Sequence, residues 1–217
     1  SSIKPVNYSV ALENGFTPAT IIPDTPITYQ IPGQLPYSPQ NYDNHFHGNI
    51  PLRVALASSY NVPAVKVLSA FGVDRMVRRG QEMGITTWEN PSRFGLSLTL
   101  GGGEVKMVDM AVVYGTLVNM GARVDLQPIL KVKNYKGEVI QQDLRRQDQN
   151  AEIKRVFSPQ IAYLLTNILS DNAARTPAFG ANSILNIPDH SHVAMSMLLS
   201  DLGNQAHPSS QLITQLL

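Results

Sequence analysis

Two short patterns in this chain bring together side chains able to move a proton. The first opens it. Ser1-Ser2-Ile3-Lys4 is an S-x-x-K, and at the start of a helix a spacing of three sets the Ser1 hydroxyl and the Lys4 amine on one face. A serine hydroxyl is a poor nucleophile until a base takes its proton, and a lysine whose charge is disfavoured by burial serves as that base. The second is Ser59-Tyr60-Asn61, an S-x-N in the polar break between two helical segments, where a hydroxyl relays protons and an amide bonds a substrate backbone. Each has a plainer reading. Roughly one S-x-x-K arises by composition alone in a chain of this length, and Ser and Asn are favoured in helix-capping turns.

Other groupings carry less chemistry. His45-x-His47 and His190-x-His192 would project two imidazoles to one side of a strand, but no third ligand lies close to either pair and zinc sites take three or four protein ligands. They read as solvated loop histidines, and no metal or other cofactor is expected. Gly101-Gly102-Gly103-Glu104 precedes a helix as a phosphate cradle does, yet it lacks the Lys-Ser/Thr of a P-loop and Glu104 repels phosphate. Its reading is a tight turn that brings the next helix close to the body. Met107, Met110, Tyr114 and Leu117 recur at three to four residues and read as a core face.

The elements that must position these residues follow from punctuation and period. Residues 4–14 read as a helix with Pro5 near its start and Gly15 after its end. Residues 16–48, rich in Pro, Asn, Asp and Tyr without a sustained period, read as a long ordered loop crossing a surface. Helical patterning returns at 52–58, 63–70 and 74–83, then at about 105–120, with Gly121 as a C-cap. Residues 127–142 alternate about a turn at Lys136-Gly137 and read as a β-hairpin. Ser158-Pro159 opens a helix to about Leu169, stopped by Ser170-Asp171-Asn172. Residues 184–194 are expected to start a strand.

The chain has 217 residues, 43% of them hydrophobic, enough apolar material for a real core in one domain. Its 17 Lys+Arg against 16 Asp+Glu leave a net charge of +1, which offers no broad basic face to phosphates, so nucleic acid is not an expected partner. Without cysteine there are no disulfides or thiolate metal sites.

Taken jointly, the patterns resemble a known family. SSIKP, LENGFTPAT, PQNYDNHFHG, LRVALASSYNVPAVKVL, LTLGGGEVKMVDMAVVYGTLVNMG and ILSDNAARTPAFG follow the class A penicillin-binding proteins in order and spacing, over residues 1–194. S-x-x-K is a recognised signature of penicillin-binding proteins and class A β-lactamases. The resemblance implies Ser1 as the acylated nucleophile, Lys4 as its general base, Ser59 in the proton relay and Asn61 on the substrate amide. Tyr60, the spacer of the motif, stands with Asn61 where substrate binds. Ser170-Asp171-Asn172 spells the second motif of class A β-lactamases but lies far along the chain at a helix end, where capping is its expected job.

The fold implied is α/β (α+β), of the serine DD-peptidase/β-lactamase type: an antiparallel sheet with helices on its faces, here mostly the helical region with an incomplete sheet. The activity implied is a DD-transpeptidase acting on peptidoglycan stem peptides and acylated by β-lactam antibiotics. The parent is expected to be membrane-anchored at the extracytoplasmic face of a bacterial cytoplasmic membrane, with a glycosyltransferase domain upstream. The family's third motif, K-T-G, occurs nowhere in the chain, and Met195-Ser196-Met197 stands where it should follow Val193-Ala194. Residues 1–194 are therefore expected to be a partial transpeptidase domain and 195–217 a tail without family pattern. A catalytically incomplete, peptidoglycan-binding pseudoenzyme or a non-functional fragment is the alternative.

Overall fold

The computed structural model describes residues 2–31, 33, 35–126, 128–142 and 154–183. Ser1, the strand expected at 184–194 and the tail 195–217 lie outside them.

Helix α1 (Lys4–Glu13) is the axis of the molecule. Pro5 sits in its first turn, where a missing N–H costs nothing, and nine of its ten residues are buried. A helix buried all round has no amphipathic stripe, so its polar residues must find partners inside. Asn7 Nδ2 donates to the carbonyl of Ala64 (2.9 Å) and to Thr99 Oγ1 (3.0 Å), and Ser9 Oγ donates to the carbonyl of Val6 (2.7 Å). Around α1 pack α3 (Asn61–Phe71), α4 (Val73–Glu82) and α6 (Pro159–Ser170), with the shorter α2 (Leu52–Ala57) against α1, α3 and α6. Enclosure on several sides holds the start of α1, and with it Lys4, in one place. The hydroxyl of Tyr114 donates to the carbonyl of Ser2 (2.9 Å) and ties down the entry to α1.

The segment 16–48 is not loop throughout. It contains β1 (Ile21–Asp24), which runs antiparallel to β2 (Gly48–Pro51) with Ile22 opposite Ile50 and Asp24 opposite Gly48. Pro23 lies at an exposed position of this two-stranded ribbon, where an edge tolerates the lost donor, and four residues are too few for an alternation to show in the sequence. A second ribbon, β3 (Lys131–Lys133) with β4 (Val139–Gln142), forms the expected hairpin.

Helix α5 (Met107–Val118) begins after Lys106, whose backbone is extended. Tyr114 and Leu117 are buried in the core as their spacing predicts, but Met107 is 81% exposed: it is the first helical residue, where one more turn is not available to set it against the body. Two of the three glycines before it make a close approach, while nothing lies within 4 Å of a Cβ added to Gly101. A Cβ on Gly103 would lie 2.6 Å from Leu98 Cδ1, and one on Gly102 2.6 Å from Ser97 Oγ.

Ser158 caps α6, accepting from the N–H of Ile161. The next helix, α7 (Asn172–Phe179), was not legible because Pro177 lies inside it. Asp171 begins it: Oδ1 accepts from the N–H of Ala174 (2.9 Å), while Oδ2 accepts from Arg53 of α2 (2.8 Å). Ser170-Asp171-Asn172 thus works as a cap. Burial works to raise the pKa of the Asp171 carboxyl, but the N–H groups of Ala174 and Ala173 and the Arg53 guanidinium outweigh it and hold the pKa below the ordinary value of 3.8. A depressed folded-state pKa contributes stability that is present above the ordinary value and lost as pH falls through the lowered one. Asp171→Ala is expected to cost about 1–2 kcal/mol near neutrality. Thermal melts of the two proteins should converge as the buffer is acidified below the ordinary aspartate range. A gap that widened on acidification would refute the assignment.

Candidate active site

The end of α2 and the start of α3 are joined by a sharp bend whose geometry is unusual for its residues. Ser59 has φ +56°, a left-handed conformation costing roughly 1–2 kcal/mol for a non-glycine residue. It is held there by the N–H of Ser59 donating to the carbonyl of Leu56 (3.0 Å) and the N–H of Tyr60 to that of Ala55 (3.1 Å). The bend points the Ser59 carbonyl and hydroxyl at α1. Lys4, whose side chain is wholly buried, donates from Nζ to the Ser59 carbonyl (2.5 Å), to Ser59 Oγ (3.0 Å) and to Asn61 Oδ1 (2.8 Å). Residues 55 and 57 positions apart therefore meet at one amine.

Of the residues the sequence singled out, Lys4, Ser59 and Asn61 come together, and Ser1 lies outside the described residues. Tyr60 is 5% exposed, its ring stacked on that of His47 with centroids 3.9 Å apart. Its ring is thus part of the support beneath the bend. Burial pushes the Tyr60 hydroxyl upward in pKa, so it stays protonated.

His47 departs from its expected place in solvent. Its Nδ1 lies 2.6 Å from Asp24 Oδ2 and its Nε2 3.1 Å from Asp43 Oδ2, while His45 is exposed. Asp24 is fully buried and also accepts, with both of its oxygens, from the bend's other support: Asn41 Nδ2 reaches Asp24 Oδ1 (2.9 Å) and Oδ2 (2.8 Å). Asn41 Oδ1 in turn accepts from the N–H groups of Asn61 (2.8 Å) and Val62 (3.1 Å) at the start of α3. The Asn61 side chain is gripped separately, its Nδ2 donating to the carbonyl of Gln40 (3.0 Å). These supporting residues were not found from the sequence, although Asn41, Asp43 and His47 all fall in the PQNYDNHFHG stretch that carried the resemblance. Among the described residues no group of three His, Cys, Asp or Glu side chains is arranged to hold a metal ion.

Comparison with known proteins gives this geometry a family. The model of the penicillin binding protein transpeptidase domain matches residues 1–188. Penicillin-binding protein 1A of Neisseria meningitidis is 32% identical over 189 residues, 85% of this chain and 23% of that protein. Penicillin-binding protein 1A of Pseudomonas aeruginosa is 35% identical over 144 residues, 65% of this chain and 17% of that protein. The chain thus spans less than a quarter of the length of these curated relatives. Among solved structures, penicillin-binding protein 1A from Haemophilus influenzae superposes with a TM-score of 0.70 at 26% identity, covering 80% of this chain and 29% of that one. Penicillin-binding protein A from M. tuberculosis, solved as an imipenem acyl-enzyme complex, superposes at 0.66 and 19% identity over 87% of this chain and 45% of that one. The fold is the mixed α/β serine DD-peptidase/β-lactamase type. Since the family match runs from the first residue beyond the last described one, this chain belongs to the penicillin binding protein transpeptidase domain family.

Proposed function

We propose that the domain carries acyl-serine chemistry on peptidoglycan stem peptides, with Ser1 as nucleophile, Lys4 as general base, Ser59 as proton relay and Asn61 as a holder of the substrate amide. The observation that carries this reading is the convergence on one buried amine: Lys4 Nζ bonds Ser59 Oγ and Asn61 Oδ1, and Ser1 precedes that lysine by one helical turn in sequence. Once deprotonated, the Lys4 amine would keep two N–H donors, release one of its three hydrogen bonds and turn its lone pair to the Ser1 hydroxyl, taking that proton as Ser1 Oγ attacks the carbonyl between the two terminal D-alanines. Ser59 Oγ, bonded to the amine, would hand its proton to the departing D-Ala nitrogen as the C–N bond breaks and take in its place the proton Lys4 has gained from Ser1. An amine of a neighbouring stem peptide would then attack the ester, lose its proton along the same path and return Ser1 to its hydroxyl form. An amide nitrogen carries two N–H donors. One on Asn61 goes to Gln40, and the other would meet a substrate carbonyl.

A β-lactam would open on the same serine without releasing a fragment, which leaves the ester in place. The parent protein would act at the extracytoplasmic face of a bacterial membrane, with an upstream glycosyltransferase domain. Residues 1–194 would form the partial transpeptidase domain and 195–217 its tail. One sequence observation favours a second reading. No Lys-Ser/Thr-Gly, the motif whose residues would bind the substrate carboxylate, stands within these 217 residues, so a pseudoenzyme that binds peptidoglycan without turnover, or a non-functional fragment, is the alternative.

Peptide mapping by mass spectrometry after incubation with penicillin tests the first reading. A penicilloyl adduct confined to the peptide bearing Ser1 is the expected result. An unmodified Ser1 in a sample that melts cooperatively would replace the enzyme with the pseudoenzyme, and loss of cooperative melting would point to the fragment.

A further inference from the structure

We infer that Asp24 and Asn41 are positioning residues for the reaction at Lys4, setting the Ser59-Tyr60-Asn61 bend through hydrogen bonds to its backbone; this rests on the acyl-serine reading above. The argument is one of donors and acceptors. An ionised carboxylate only accepts, so Asp24, with both oxygens bonded to Asn41 Nδ2, dictates which way the Asn41 amide faces. A third acceptor on the same nitrogen, the carbonyl of His45 at 2.8 Å, reinforces that choice. Oδ1 is then turned to the start of α3, where it accepts from two N–H groups, those of Asn61 and Val62. Neither N–H has a partner within the helix, since the first turn lacks carbonyls before it.

Asp24 reaches the motif a second way. It holds His47 through Nδ1 and through the backbone N–H (3.0 Å), and His47 stacks on Tyr60. One fully buried carboxylate on β1 therefore bears on both residues that follow Ser59. Asn61 Oδ1 and the Ser59 carbonyl are two of the acceptors of the Lys4 amine, so a bend that shifted would move the surroundings of the base. Ordinary capping is not enough to explain the arrangement, because a cap needs an acceptor and not a buried anion to orient it.

The test uses this chain with ¹³Cε-labelled lysine, read by NMR, beside the rate of penicillin acylation at Ser1. In Asn41→Ala the Lys4 ¹³Cε resonance is expected to move and acylation to slow about 10²-fold, the size of effect a displacement of about 1 Å produces. Asp24→Asn should act in the same direction. Asp171→Ala, which removes the cap of a different helix, should lower the melting temperature yet leave the Lys4 resonance and the acylation rate at parental values. Combining Asp24→Asn with Asn41→Asp exchanges carboxylate and amide, and should recover about tenfold or more of the rate lost in either single variant. Where Asn41→Ala does not fold, Asn41→Ser, which keeps an acceptor but not the reach to Asp24, is expected to show the same changes in smaller measure. An unmoved Lys4 resonance in a folded Asn41 variant, or an equal movement in Asp171→Ala, overturns the proposal. Absence of acylation in the parent chain would sink the acyl-serine reading alone, and the Lys4 resonance would still decide this one.

Discussion

Lys4→Met is expected to slow acylation by penicillin about 10²–10⁴-fold, the usual worth of general-base assistance. Methionine suits the test because the lysine stem lies wholly buried and an unbranched apolar side chain of similar length fills that volume. What disappears is the amine, together with its bonds to the Ser59 carbonyl, Ser59 Oγ and Asn61 Oδ1. Leaving buried acceptors unpaired costs about 1–3 kcal/mol each, so the variant should melt at a lower temperature, and its acylation rate is compared in samples that still melt cooperatively. Lys4→Arg separates two explanations of a loss. A guanidinium stays charged and bonds acceptors but does not take a proton near neutrality, so it too should be slow if the lysine acts as a base. Were Lys4→Arg to acylate at the parental rate in stopped-flow assays, the amine would be an organiser of the bend and not a base.

Gly121→Ala is expected to be the most damaging small change outside the site. The chain leaves α5 through Met120 and Gly121, both at positive φ (+54° and +84°). The N–H of Gly121 donates back to the carbonyl of Thr116 (2.8 Å) and that of Met120 to the carbonyl of Leu117 (3.2 Å). This is the paired bonding of a Schellman ending. It turns the chain so that the Gly121 carbonyl accepts from the N–H of Val156 (2.9 Å), joining α5 to the segment that leads into α6. A Cβ on Gly121 would lie 2.2 Å from the carbonyl oxygen of Phe157, a backbone atom with nowhere to retreat. The left-handed conformation adds about 1–2 kcal/mol and the crowding about 1–3 kcal/mol. Together that is roughly 2–5 kcal/mol, a large part of the 5–15 kcal/mol that holds an ordinary domain together. Gly15→Ala is the control, since its φ is +93° but nothing lies within 4 Å of the added carbon. Circular-dichroism melts should show a much larger drop for Gly121→Ala than for Gly15→Ala, and equal drops would contradict the steric argument.

What could be read without coordinates was whatever acts through neighbours in the chain. Pro5 and Gly15 bracket α1, Ser158 and Pro159 begin α6, and Lys136-Gly137 turns the β3–β4 hairpin, because caps and turns satisfy or restrict backbone groups within a few residues of themselves. The two motifs were legible as residue types at fixed spacings. The same local rules misjudged Met107, since periodicity says which residues share a face but not how far the body extends beneath the first turn. They also missed α7, where Pro177 argues against a helix that the cap at Asp171 and its tie to Arg53 sustain.

Tertiary structure alone decided that Lys4 meets Ser59 and Asn61, and that a stretch rich in Pro and Asn supplies β1, Asp24, Asn41 and His47 to hold them. Contacts across 13 to 57 positions depend on which surfaces are buried together, and no spacing rule encodes that. A buried polar group must be paired wherever the fold puts it, and the fold brings a lysine, a serine, two asparagines and an aspartate to one place. Packing of α1 at the centre of the molecule made them partners.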